Sequence, residues 1–134
     1  MFEITCQPIS PESIVNKVKT SGSGCVVTYV GLIRDNSHGK MVKSVEYQDV
    51  AGDAAGALER IATEARSRWP VECIAITHRV GVLNVGDINL VVAVAAGHRG
   101  EGFSAASYII DHFKDALPTK KVETYQDGTT LTQE

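Results

Sequence analysis

Apolar and polar positions change period several times along this chain, and each change marks an element. Leu90–Ala96 (LVVAVAA) is an unbroken apolar run with three valines. It is too short for a self-standing helix and rich in β-formers, which predicts a core strand. Past Gly97, Gly100 and Gly102 the spacing lengthens. From Glu101 on, Phe103, Ala106, Ile110, Phe113 and Leu117 recur at three- and four-residue steps, lining one face of a helix that Pro118 ends.

The same reading extends to the rest of the chain. Phe2–Ile9 alternates weakly, as a first strand. Ser10 is placed to cap a short helix with Pro11 at its first position and Ile14, Val15 and Val18 on its apolar side. Ser21–Gly24 is a turn. Cys25–Ile33 (CVVTYVGLI) is strongly β-forming and delivers Arg34 at its end, before the polar loop Asp35–Lys40. That loop suits a hairpin with a mobile tip. Val42, Val45 and Tyr47 begin the returning strand. Gly52–Trp69 is the longest helical pattern, with Ala55, Leu58, Ile61, Ala62 and Ala65 as its apolar face and Trp69-Pro70 as its stop. Cys73–Val80 is a strand, and Gly81–Asp87 a connector to the central strand. Val122–Tyr125 predicts an edge strand, Asp127-Gly128 a hairpin turn, and Thr129–Glu134 its return. The order β-α-β-β-α-β-β-α-β-β, with helices against a mixed, mainly antiparallel sheet, is that of an α+β domain with three helices.

Composition narrows the function. At 134 residues the chain is most simply one domain, and 43% hydrophobic with 22% charged residues is ordinary for a soluble globular protein. A net charge of −3 argues against nonspecific nucleic-acid binding, which needs a basic surface. No apolar run is long enough for a membrane span, and the N-terminus lacks the basic-then-apolar pattern of a signal peptide, so the expected location is the cytoplasm. Cys6, Cys25 and Cys73 form no C-x-x-C pair and are expected to be buried, inert thiols. His38, His78, His98 and His112 lack metal-ligand spacing, so no metal site and no cofactor are expected. His78 and Arg79 read equally well as sheet-face residues and as functional ones.

Candidate chemistry gathers around the central strand and the helix after it. His98 and Arg99 sit where the strand ends and the helix begins, so two side-chain donors lie beside free backbone N–H groups, an arrangement suited to an anion. Lys114 lies about 70° from the centre of the apolar stripe, at roughly 100° per residue, and so either snorkels to solvent or points into a cleft. Lys120 and Lys121 follow one short step later, and Arg34 stands at the fixed root of its loop. In an acidic chain this local basic cluster reads as a pocket for a small anion. Taken singly, His98 and Lys114 have equally ordinary structural readings; it is their coincidence that points to function.

These pieces resemble the large, catalytic subunit of molybdopterin synthase. The resemblance rests on GLIRDN (Gly31–Asn36), ARSRWP (Ala65–Pro70), HRVGVLNVGD (His78–Asp87), AGHRGEGF (Ala96–Phe103) and KDALPTKKVE (Lys114–Glu123), and on the spacing between them. It implies an α/β hammerhead-type fold and a homodimer at the centre of a heterotetramer. The partner it implies is a small ubiquitin-like sulfur carrier whose Gly-Gly C-terminus is charged as a thiocarboxylate. The implied reaction adds two sulfurs to cyclic pyranopterin monophosphate to build the molybdopterin dithiolene. By the same resemblance Lys114 and Lys121 are catalytic, Arg34, His98 and Arg99 bind substrate with them, and Glu123 is a pocket acid. The chain departs from the family in having Lys120 where an aromatic residue is usual, Leu131 where tryptophan is common, and no counterpart of the basic C-terminal arm. Alternatives of another class are a noncatalytic module that binds a small phosphate ester, and a degenerate paralogue. A persulfide route through the cysteines is disfavoured, because in the family sulfur arrives on the partner's carboxyl terminus.

Overall fold

The computed structural model describes residues 1–133, with β1 (Phe2–Thr5), α1 (Pro11–Val18), β2 (Cys25–Leu32), β3 (Asn36–Ser37), β4 (Lys40–Gln48), α2 (Ala54–Arg68), β5 (Val71–Arg79), β6 (Gly81–Asn84), β7 (Ile88–Ala96), α3 (Arg99–Asp115), β8 (Lys120–Tyr125) and β9 (Thr130–Gln133). The strands form two sheets. The first runs β1-β5-β7-β2, with β1 parallel to β5 and the other pairs antiparallel. The second, all antiparallel, centres on β4, which pairs with β6 on one side and β8 on the other; β8 in turn pairs with β9, and β3 extends the start of β4. The α+β class and its mainly antiparallel pairing are as expected.

The apolar run of β7 follows from burial on both faces. Leu90, Val92 and Val94 pack with α2 and α3, while Val91, Ala93 and Ala95 meet Ile14 and Val18 of α1. Helix α1 begins as its sequence predicts: Ser13 N–H donates to Ser10 Oγ at 3.3 Å, and Pro11 occupies the first turn.

Several boundaries and faces differ from expectation. Strand β1 stops at Thr5 rather than Ile9. The Gly81–Asp87 connector contains β6, whose Leu83 is fully buried beside Val42, Val45, Tyr47 and Tyr125. Strand β8 starts at Lys120 and is no edge strand, since β4 and β9 flank it. In α2 the buried face is Ala54, Leu58, Ala62 and Ala65; Ala55 is exposed. Helix α3 starts at Arg99, ends at Asp115 ahead of Pro118, and buries Gly102, Ala105, Ala106, Ile109 and Phe113, leaving Phe103 61% exposed. Here small residues decide the face. A Cβ on Gly102 would sit 3.0 Å from Val27 Cγ2, so the helix start packs close to β2 only because that side chain is missing. Periodicity counted from bulky residues picks the neighbouring stripe instead. The expected mobile loop is a tight hairpin whose two turn residues, His38 and Gly39, both have positive φ (52° and 76°). Cys6 is exposed and Cys25 and Cys73 are half-buried, so the cysteines are less enclosed than expected. Among the described residues, no helix is long and apolar enough to cross a membrane.

Candidate active site

One end of the first sheet meets the second sheet around a cavity of about 530 Å³, a size typical of small-molecule sites. Three elements converge there. Strand β2 ends at Leu32, opposite Ile88 at the start of β7, and the chain then carries Arg34 to the rim. Helix α3 brings Lys114 on its last turn, and β8 brings Lys121 and Glu123, which share a face because they are two residues apart. Arg34, Lys114, Lys121 and Glu123 therefore line one cavity. Lys114 takes the cleft orientation left open by the sequence. Its ammonium lies 5.7 Å from the centroid of the Tyr29 ring, a cation–π contact.

The charges in the cavity are unevenly paired. Among the described residues, no carboxylate comes within the 4.0 Å ion-pairing distance of Arg34, Lys114 or Lys121. Glu123, by contrast, is buried and engaged inside the protein. Its Oε1 accepts from the Ser37 hydroxyl at 3.0 Å and the Tyr125 phenol at 3.1 Å, with His38 Nε2 at 3.8 Å. Glu123 thus fastens the β3–β4 hairpin over the rim, leaving a net positive cavity mouth that favours an anion.

The inner wall is polar where β7 begins. Asn89 Nδ2 donates to the Tyr47 hydroxyl at 3.0 Å, and burial raises the Tyr47 phenol above its ordinary value. Gly31 matters to this wall. A Cβ there would lie 2.7 Å from Asn89 Oδ1 and 3.1 Å from Tyr29 Cε1, so the close passage of β2 over Asn89 requires glycine. Sequence reasoning did not single out Tyr29, Tyr47 or Asn89 as site residues. The available signal was Asn89, one polar residue breaking an otherwise apolar strand.

His98 and Arg99 are elsewhere. Both are exposed at the start of α3, where His98 is the N-cap residue and makes no side-chain capping bond. Arg99 and Lys114 are separated by 15 helical residues, about 22 Å at 1.5 Å per residue. The expected single cluster around the central strand and its helix therefore divides within one chain into two groups at opposite ends of α3. Among the described residues, no group of three or more His, Cys, Asp or Glu side chains is disposed to hold a metal ion.

Comparison with known proteins gives this arrangement its context. The family described as MoaE protein matches residues 4–116. This chain belongs to the MoaE family. It is 36% identical over 127 residues to the molybdopterin synthase catalytic subunit of Bacillus subtilis, covering 95% of this chain and 81% of that protein. It is 41% identical over 130 residues to the protein of the same name from Nostoc, covering 96% and 79%. The crystal structure of molybdopterin synthase from Staphylococcus aureus superposes with a TM-score of 0.91 at 30% identity, covering 99% of this chain and 96% of that one. The MoaE match ends at Ala116, so it takes in Lys114 but stops short of Lys121 and Glu123, which complete the cavity from β8.

Proposed function

We propose that this chain is the catalytic subunit of a molybdopterin synthase, a sulfurtransferase of molybdenum cofactor biosynthesis working in the cytoplasm. It takes sulfur from the thiocarboxylated Gly-Gly terminus of a small ubiquitin-like carrier. It delivers that sulfur, in two successive transfers, to cyclic pyranopterin monophosphate. The observation that carries this reading is the convergence of Arg34, Lys114 and Lys121 on one cavity with no carboxylate of the described residues within ion-pairing distance. Both reactants are anions, and unpaired cations hold two anions together without first having to break an internal ion pair.

The chemistry follows from the charges. As sulfur attacks, a carbon–sulfur bond forms, the cyclic phosphate opens and negative charge grows on the departing oxygen; fixed ammonium and guanidinium groups stabilise that charge without reorganising. Water then cleaves the resulting thioester, so that the carrier leaves as a carboxylate. Lys114, on the last turn of α3, meets the carrier's terminal carbonyl. Lys121 and Arg34 hold the phosphate side. Glu123 binds substrate indirectly, by keeping Ser37 and the hairpin at the rim. The active form is a homodimer at the centre of a heterotetramer. In it His98 and Arg99, too far along α3 to serve their own cavity, bring an imidazole and a guanidinium to the cavity of the second copy.

The test combines the purified chain with thiocarboxylated carrier and cyclic pyranopterin monophosphate. Molybdopterin formation, with co-elution of chain and carrier on gel filtration, is the expected result. A chain that binds the phosphate ester but neither binds the carrier nor yields dithiolene is a binding module, and the proposal falls.

A further inference from the structure

Behind the cavity wall runs a buried chain of polar contacts that the sulfur-transfer chemistry does not itself use. His78, on β5, is fully buried. Its Nδ1 lies 2.8 Å from the Asn89 carbonyl oxygen and its Nε2 2.9 Å from the Thr119 hydroxyl. A carbonyl only accepts, so Nδ1 carries the ring proton and Nε2 accepts from Thr119. Tyr47 and Phe113 meet the ring edge-on, with centroids 4.9 and 5.0 Å away, and leave it little freedom to turn. The side chain of Asn89 extends the contacts to the Tyr47 hydroxyl. One histidine thus connects β5, the start of β7 and the segment between α3 and β8.

That segment is short and carries the two site lysines on its flanks. Lys114 is five residues before Thr119, and Lys121 two residues after it. Between helix and strand, Ala116 N–H still donates back to the His112 carbonyl at 3.0 Å, but residues 117–119 have neither an α-helical nor a β-ladder bonding pattern, and Pro118 has no N–H to donate. Here Leu117 packs against the apolar clusters around it, and the Thr119 hydroxyl makes the side-chain hydrogen bond to His78. Thr119 is itself 3% exposed, so the bond is shielded from water.

We propose that His78 is a positioning residue: acting through Thr119, it fixes the separation and direction of Lys114 and Lys121 across the cavity. The inference rests on the reading of that cavity as the site of sulfur transfer. Electrostatic stabilisation depends on cations that are in place before the charge develops, and a displacement near 1 Å can cost a rate about a hundredfold. A short segment held by the apolar contacts of Leu117 and the buried Thr119 hydroxyl bond is where such a displacement would arise once that bond is lost.

Thr119→Val removes the hydroxyl and keeps the shape; Thr119→Ser keeps the hydroxyl. Wild-type product formation is measured first, and its absence would remove the sulfur-transfer reading itself. With an active wild type, Thr119→Val is expected to fold and to lose turnover by about tenfold or more. Its KM for the carrier stays within about twofold, because binding over the carrier's body does not depend on the two lysines. Thr119→Ser keeps at least about half of the wild-type turnover. A Thr119→Val protein with wild-type turnover overturns the proposal, and so does a Thr119→Ser protein as slow as the valine variant. Should Thr119→Val not fold, His78→Gln is compared in the same assay. The same loss of turnover at unchanged KM supports the role, and wild-type turnover overturns it.

Discussion

Helix α3 carries positive side chains at both ends, in different surroundings. At its start, His98 and Arg99 stand exposed on a helix terminus, His98 makes no side-chain capping bond, and neither residue lines the cavity. At its finish, Lys114 rests against the Tyr29 ring and faces Arg34 and Lys121 across a cavity. Behind this end lie the buried contacts of His78, Asn89, Thr119 and Tyr47. Like charge at the two ends therefore does not mean like function. The first end can attract an anion but cannot hold one in a set geometry, whereas the second can do both. In the proposed dimer the exposed end becomes useful by entering the neighbour's cavity.

Mutations sharpen the contrast. The largest effect is expected from Lys114→Ala. It removes an exposed cation from the cavity end, so stability in urea stays near wild type while product formation falls by about a thousandfold, the scale of losing one electrostatic stabiliser of developing charge. Product formation within a few-fold of wild type would remove Lys114 from the chemistry. Gly31→Ala comes next. Its new methyl group would meet Asn89 Oδ1 and Tyr29, so the Asn89–Tyr47 bond must yield. The expected cost is about 1–3 kcal/mol in urea unfolding, with turnover reduced. Gly56→Ala in α2, away from both ends of α3, meets only Arg60 Nη1 at 3.6 Å, an ordinary contact, and serves as the matched control.

A smaller effect concerns pH. Burial lowers the pKa of His78 below its ordinary 6.5. The unfolded chain then binds a proton that the folded chain refuses, so stability rises with pH through this range. Its contribution is fully present above 6.5 and is lost progressively as pH falls below that value. Urea midpoints measured from pH 7.5 down to 5 should show a slope that His78→Gln flattens. An equal slope in both proteins would mean that another group governs the acid side.

Much of the scaffold was legible in the sequence because its signals are local. The valines of β7, the Ser10-Pro11 start of α1 and the Gly128 turn (φ 86°) between β8 and β9 each declare themselves within a few residues. Features that depend on packing were not legible in the same way. The buried stripe of α3 includes Gly102 and two alanines, and the missing side chain of Gly102 matters only because Val27 and Cys25 of β2 and Ala96 of β7 lie against it. Strand β6 hid between Gly81 and Gly86 because four residues give too short an alternation to stand out. Of the candidate site, Arg34, Lys114, Lys121 and Glu123 do share a cavity. The distance of His98 and Arg99 from it follows from helix length, since residues close along the chain map to opposite ends of a helix of 17 residues. Tyr29, Tyr47 and Asn89 reach the cavity from three different strands, and no spacing rule brings them together.

The central claim is that the cavity end of α3 performs the reaction and that the exposed end serves a neighbour's cavity. Mixing two inactive proteins, Lys114→Ala and the double variant His98→Asn/Arg99→Ala, tests both halves at once. After subunit exchange, each mixed dimer has one cavity with Lys114 intact and faced by an intact His98 and Arg99. Random pairing should then restore about a quarter of wild-type product formation. If the mixture stays as inactive as its components although exchange has occurred, His98 and Arg99 do not act across the dimer, and the account of the site is wrong.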